Sequence, residues 1–130
     1  MEKVWLDTQA FLWWVGGEKL LPRRARAILE SGDSIVMLSH VSVWEMAIKA
    51  SIGKLALPAP ALQFAIEHCK INRFQLQPIS LDAIGRVEAL AKHHGDPFDR
   101  LLAAECLESK LPIITADAIF TKYGVRRFWQ

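Results

Sequence analysis

The chain has 130 residues, 52% of them apolar and 23% charged, with a net charge of +2. That balance describes one globular domain over residues 1–130 with room for a real core, and it excludes a disordered or low-complexity chain. The mild positive charge permits a nucleic-acid partner without demanding one.

Glu2, Lys3 and Asp7 interrupt any apolar leader, and no run approaches the roughly 20 apolar residues of a membrane span. Cys69 and Cys106 lack metal or redox spacing, so they read as reduced core thiols of a cytoplasmic protein. No membrane partner is expected.

In chain order, "KVWLD" (3–7) reads as a buried strand. "PRRARAILES" (22–31) reads as a helix with Pro22 in its first turn and Gly32 past its end. "SIVML" (34–38) is a second buried strand. A helix over 42–52 closes at Gly53. Residues 58–71 form an amphipathic helix with Leu62, Ala65, Ile66 and Cys69 on one face. "FQLQPI" (74–79) is a strand at an edge or end, because Pro78 lacks an N–H. Ser80 caps a helix to about His93, and another runs from Asp96 or Pro97 to about Ser109. "LPIITA" (111–116) and "VRRFW" (125–129) are the last strands. This alternation predicts an α/β fold: a mainly parallel sheet of about five strands with helices on both faces.

In such sheets ligands bind beyond the carboxyl ends of the strands. Asp7 and Asp117 follow strands there. Either alone is an ordinary turn residue. Glu45 sits among Val43, Trp44, Met46, Ala47 and Ile48. A capping box with Ser42, or an ion pair with Lys49, would explain it. Its apolar surroundings remain unusual, since an unpaired buried carboxylate is expensive. Asp96 and Asp99 in "HGDPFDRLL" make a good helix start around Pro97, with acids at the positive end of the dipole.

Taken together, these acids would converge at one sheet edge. Two carboxylates about 4 Å apart repel by about 4 kcal/mol at an effective dielectric of 20. They must take up protons or hold a cation. An all-oxygen set suits Mg²⁺ or Mn²⁺ better than zinc. His93 and His94 beside Asp96 do not make a familiar zinc set and read as a polar helix end. "GG" at 16–17 lacks the spacing of a phosphate loop. No serine or cysteine stands in a nucleophile motif. The clusters Lys19, Arg23, Arg24, Arg26 and Lys122, Arg126, Arg127 read as solvated faces. Trp5 and Trp44 read as core, and Trp13 and Trp14 as core or interface.

With "WLDTQAFLWW", "SHVSVWEMAIKASIGKL", "HHGDPFDRLLAAECLESKLPIITAD" and "YGV" in this order, the chain resembles PIN-domain nucleases along its whole length. It is most similar to the VapC-type toxins of bacterial toxin–antitoxin systems. The resemblance implies a metal-dependent endoribonuclease that hydrolyses RNA phosphodiester bonds. Asp7, Glu45, Asp99 and Asp117 correspond to the acidic metal site for Mg²⁺ (or Mn²⁺), and Asp96 is a further candidate ligand. Thr8, Ser39 and Thr115 match supporting hydroxyl positions. Lys49 and Arg100 are candidates for holding the RNA backbone. The implied partners are an RNA substrate, a cognate antitoxin covering the acidic pocket, and a second copy of the chain in a homodimer. Gln9 departs from a position that is often histidine in these toxins.

Two other readings stay open. One is a PIN-like module that binds RNA or protein without cutting. The other is a phosphatase of the haloacid-dehalogenase type, suggested by "LDT". That chemistry needs a second Asp where this chain has Gln9.

Overall fold

β1 (Lys3–Leu6) is buried at every position after Lys3, because both faces of its sheet are covered. Val4 and Leu6 enter one core cluster and Trp5 the other, as the two-residue period of a strand requires. The computed structural model describes residues 2–17, 19–93 and 95–130. The other strands are β2 (Ile35–Ser39), β3 (Gln75–Gln77), β4 (Ile113–Ile114) and β5 (Arg127–Phe128). They join in the order β3-β2-β1-β4-β5, and every pairing is parallel. The expected five-stranded α/β sheet is therefore wholly parallel. β3 ends before Pro78 and lies at an edge, where a residue without an N–H is tolerated.

The strand order reverses at β1, which has β2 on one side and β4 on the other. A crevice at the carboxyl ends of the strands belongs at such a switch point.

Seven helices occur among the described residues: α1 (Thr8–Val15), α2 (Arg23–Glu30), α3 (His40–Ser51), α4 (Ala61–Asn72), α5 (Leu81–Ala89), α6 (Pro97–Ser109) and α7 (Ile119–Lys122). On one face of the sheet, Phe11 of α1 meets Phe64 and Phe74 edge-on at 6.1 and 6.4 Å. On the other, Leu102, Ala103 and Cys106 of α6 pack with Trp5, Met37 and Ile113. Both cysteines are free and buried. No helix among the described residues is long and apolar enough to cross a membrane.

Several local expectations change. α1 was not anticipated: "TQAFLWWV" is rich in aromatic and β-branched residues, which disguise a helix held by packing. α3 begins at His40 with Ser39 as its cap, so Ser42 is an interior residue and the expected capping box does not form. α4 buries Ala61, Phe64, Ala65 and Cys69, while Leu62 and Ile66 point outward at 62% and 49% exposure. The bulk of Phe64 sets that face. α5 stops at Ala89, and its cap residue Leu90 is extended, several residues before His93. Trp44 is half exposed, with its ring edge-on to Phe98 at 4.7 Å, and is not core. Trp13 packs against Trp129 at 5.8 Å, and Trp14 donates its indole N–H to Asn72.

Candidate active site

Asp7 stands where β1 becomes α1. Its Oδ1 accepts from the Ala10 N–H at 2.7 Å, capping the helix, and its Oδ2 accepts from the Thr115 hydroxyl at 2.5 Å. Burial pushes its carboxyl up to about 6, against the lowering effect of those two bonds. The Thr115 hydroxyl also accepts from the Asp117 N–H at 3.0 Å. One hydroxyl thus joins the acid after β1 to the acid after β4. Asp117 turns its own Oδ1 to the Ile119 N–H, 3.0 Å. Arg127 on β5 donates to the Thr115 carbonyl at 3.2 Å and steadies that turn.

Thr8, beside Asp7, donates to the Ser42 hydroxyl at 2.8 Å, pinning the start of α1 to α3. One turn further along α3, buried Glu45 accepts from Lys49 at 2.5 Å. The hydrogen bond to Glu45 raises the lysine above its ordinary value, so Lys49 is firmly cationic. Of the two explanations open for Glu45 in the sequence, the ion pair is the one that forms.

Asp96 caps α6: its Oδ1 accepts from the N–H groups of Phe98 and Asp99 at 2.8 and 3.1 Å. Asp99 follows in the first turn. Burial, then the charges of Asp96, Glu45, Asp7 and Asp117, raise its carboxyl to about 7. Burial and mutual repulsion thus favour the protonated forms of Asp7 and Asp99, even with the Lys49 cation paired to Glu45 beside them.

All five acids, Asp7, Glu45, Asp96, Asp99 and Asp117, line one cavity of about 430 Å³, together with Lys49 and Lys54. They do not form a finished ligand cage: among the described residues, no three His, Cys, Asp or Glu side chains stand close enough to hold a metal ion. The donor set is nonetheless all oxygen, and its raised carboxyls mark a place where positive charge is welcome. These residues fit a divalent cation by chemistry, with some closing-in of the carboxylates required.

The remaining candidates separate. Ser39 is fully buried, does not line the cavity, and caps α3 by accepting from the Val41 N–H at 3.0 Å. Arg100 turns away, donating to the carbonyls of Ala91, Val87 and Leu90 at 3.0–3.3 Å. It closes the end of α5, and both of its terminal guanidinium nitrogens are engaged there. Arg100→Ala is expected to cost about 1–3 kcal/mol of stability in a denaturant melt, the range for leaving such groups unmet. His93 lies against the Tyr123 ring at 5.2 Å, and His94 lies outside the described residues.

Lys54 and Ser42 were not singled out in the sequence as site residues. Lys54 follows Gly53, whose φ of +76° turns the chain after α3. A glycine needed for a left-handed turn beside a lysine was the available signal. The residue most fully overlooked is Glu105, a charge inside the apolar run "LLAAEC".

The sequence model of the PIN domain matches residues 4–125. Among solved structures, the fold is similar to VapBC2 from Rickettsia felis bound to a promoter DNA fragment. That match has a TM-score of 0.71 and 12% identity over 98% of this chain and 99% of that one. DNA-bound VapBC from Salmonella typhimurium gives 0.67 and 21% over 98% of each chain. A toxin–antitoxin complex from Klebsiella pneumoniae gives 0.58 and 19% over 88% and 87%. A search among curated proteins finds no match. With the family matched over nearly the whole chain, and five acids gathered at the carboxyl edge of its parallel sheet, the protein belongs to the PIN-domain family.

Proposed function

We propose that the protein is a metal-dependent endoribonuclease, the toxin of a toxin–antitoxin pair of the VapC type. The observation that carries this reading is the convergence of Asp7, Glu45, Asp96, Asp99 and Asp117 on one cavity in a PIN domain. The likeness to VapBC and toxin–antitoxin complexes supports the toxin assignment.

In this reading Asp7, Asp99 and Asp117, with Glu45 and in part Asp96, hold Mg²⁺ or Mn²⁺. A bound divalent cation supplies charge neutralisation at the phosphate and a water of lowered pKa. The chain's own groups do the rest. Thr115 fixes the Asp7 carboxylate by its hydroxyl and Asp117 by its backbone. Lys49 and Lys54, in place of Arg100, attract the RNA backbone at the rim. A carboxylate of the cluster not fully engaged by the cation is suited to take the proton of the attacking water.

The antitoxin fits an apolar groove of about 540 Å³ between α1, the 55–58 segment and α4, lined by Trp13, Leu57 and Phe64 among others. The groove shares Gln9, Leu12 and Leu55 with the acid cavity. One partner segment would thus cover both, with a basic side chain toward the acids. Homodimer formation is supported by the exposed apolar residues Trp44 and Ile48 on α3 and Ile52 just past its end. A cytoplasmic location belongs to the same reading.

The test is incubation of the antitoxin-free protein with a mixed RNA pool in Mg²⁺, Mn²⁺ or chelator. Cleavage in metal alone, leaving 5′-phosphate ends, is expected. No cleavage in any metal, with no Mn²⁺ uptake by calorimetry, would favour the non-cutting module. The unfinished ligand cage and the Glu45–Lys49 pair are the observations on that side.

A further inference from the structure

Glu105 lies on α6, outside the lining of the acid cavity, and is 4% exposed. Its Oε1 accepts from the Ser39 hydroxyl at 2.9 Å. Its Oε2 is shielded from solvent and has no hydrogen-bond partner among the described residues. Such a group is costly, and an apolar side chain of similar size would avoid the cost. A buried polar group that persists against this cost is suited to fixing one geometry.

The geometry it fixes can be traced. The Ser39 hydroxyl has one proton and must also accept from the Val41 N–H to cap α3. Giving the proton to Glu105 locks the hydroxyl rotor, so that its lone pair faces Val41. Glu105 therefore ties α6 to the first turn of α3. Those two helices carry Asp96 and Asp99 on one side and Glu45 on the other. We infer that Glu105 is a positioning residue, which through Ser39 sets the placement of Glu45 relative to Asp99. The consequence for metal and RNA rests on the nuclease reading; the tie itself does not.

Burial raises the Glu105 carboxyl to about 7, with the Ser39 bond acting the other way. The neutral acid is therefore the form the core favours, and glutamine imitates it, keeping the acceptor for Ser39 without a charge. Leucine fills similar volume and removes the acceptor.

The experiment compares wild type, Glu105→Gln and Glu105→Leu by thermal melt, amide hydrogen exchange at Val41, Mn²⁺ calorimetry and Mg²⁺-dependent RNA cleavage. Glu105→Gln is expected to match wild type within about twofold throughout. Glu105→Leu should melt no lower than wild type, yet exchange faster at Val41. It should also lose ~10-fold in Mn²⁺ affinity and in kcat, the usual effect of removing a group that orients a ligand, with KM little changed. A merely structural residue would instead lower the melt and leave folded-state metal affinity alone.

Wild-type exchange and Mn²⁺ affinity in Glu105→Leu would overturn the inference, and so would an equal loss in Glu105→Gln. If wild type neither binds Mn²⁺ nor cuts RNA, the nuclease reading fails. Exchange at Val41 then decides the tie alone: faster exchange sustains it and unchanged exchange ends it. If leucine does not fold, Glu105→Met carries the same comparison.

Discussion

Asp99→Asn is expected to abolish RNA cleavage while making the metal-free protein more stable. Asparagine keeps the shape and the start of α6, which Asp96 caps independently. What it removes is the charge that the proposed mechanism uses for metal holding and proton acceptance, so a fall of ~10²–10⁴ in kcat is expected. The stability change has the opposite sign. The carboxyl of Asp99 is raised from 3.8 to about 7 in the folded chain, so the folded state resists its ionisation. The full shift corresponds to roughly 4 kcal/mol at 1.36 kcal/mol per pKa unit. Partial solvent screening reduces this to about 1–2 kcal/mol.

The gap between the variant and wild type must depend on pH. Below pH 3.8 Asp99 is protonated whether the chain is folded or not, and its contribution is fully present. As pH rises from about 4 to about 7, the unfolded chain loses the proton first, and stability drains away. The two melts should coincide near pH 3.5 and separate up to about pH 7.5. A variant that is both inactive and less stable at pH 7.5 would show Asp99 to be a capping or packing residue.

Mn²⁺ at neutral pH is the second large effect. Asp7 and Asp99 are raised to about 6 and about 7, so at pH 5 both are largely protonated and compete with a cation for the same oxygens. At pH 8 both are ionised, repel one another, and are relieved by a divalent ion. The rise in melting temperature with Mn²⁺ should be large at pH 8 and nearly absent at pH 5. At a concentration 100 times Kd the stabilisation is about 2.7 kcal/mol. Asp7→Asn and Asp99→Asn should each lose most of it. Thermal shift across pH with and without Mn²⁺ reads this directly, and an equal shift at both pH values would remove the acids from the account.

Much of the architecture was legible because parallel strands covered on both faces appear as short unbroken apolar runs, as in "KVWLD" and "SIVML". The start of α6 was legible because Asp96, Pro97 and Asp99 obey capping chemistry that acts within one turn. α1 was not, because its helical state comes from Phe11 packing on Phe64 and Phe74, contacts that local propensity does not contain. The displaced cap of α3 has a similar cause. Ser39 and Ser42 are both capable caps, and only the end of β2 selects the first. Among site residues, the acids could be listed from the sequence, but not the direction of Arg100, whose acceptors lie in another helix. Glu105 showed the same oddity as Glu45, a charge in an apolar run. It carried no strand end or cap to draw attention to it.

The acids that line the cavity come from four stretches of chain, near residues 7, 45, 96–99 and 117, and Arg127 on the last strand secures the turn that bears Asp117. No contiguous fragment contains them all. Contacts between such distant parts form late and together, because each must first overcome the entropy of closing a long loop. A chain still emerging from the ribosome has Asp7 and Glu45 exposed long before Asp117 can join them. Under the proposed toxin reading, this order of assembly keeps every unfinished copy inactive. Activity and susceptibility to capture by a partner then arise at the same moment, when the sheet closes.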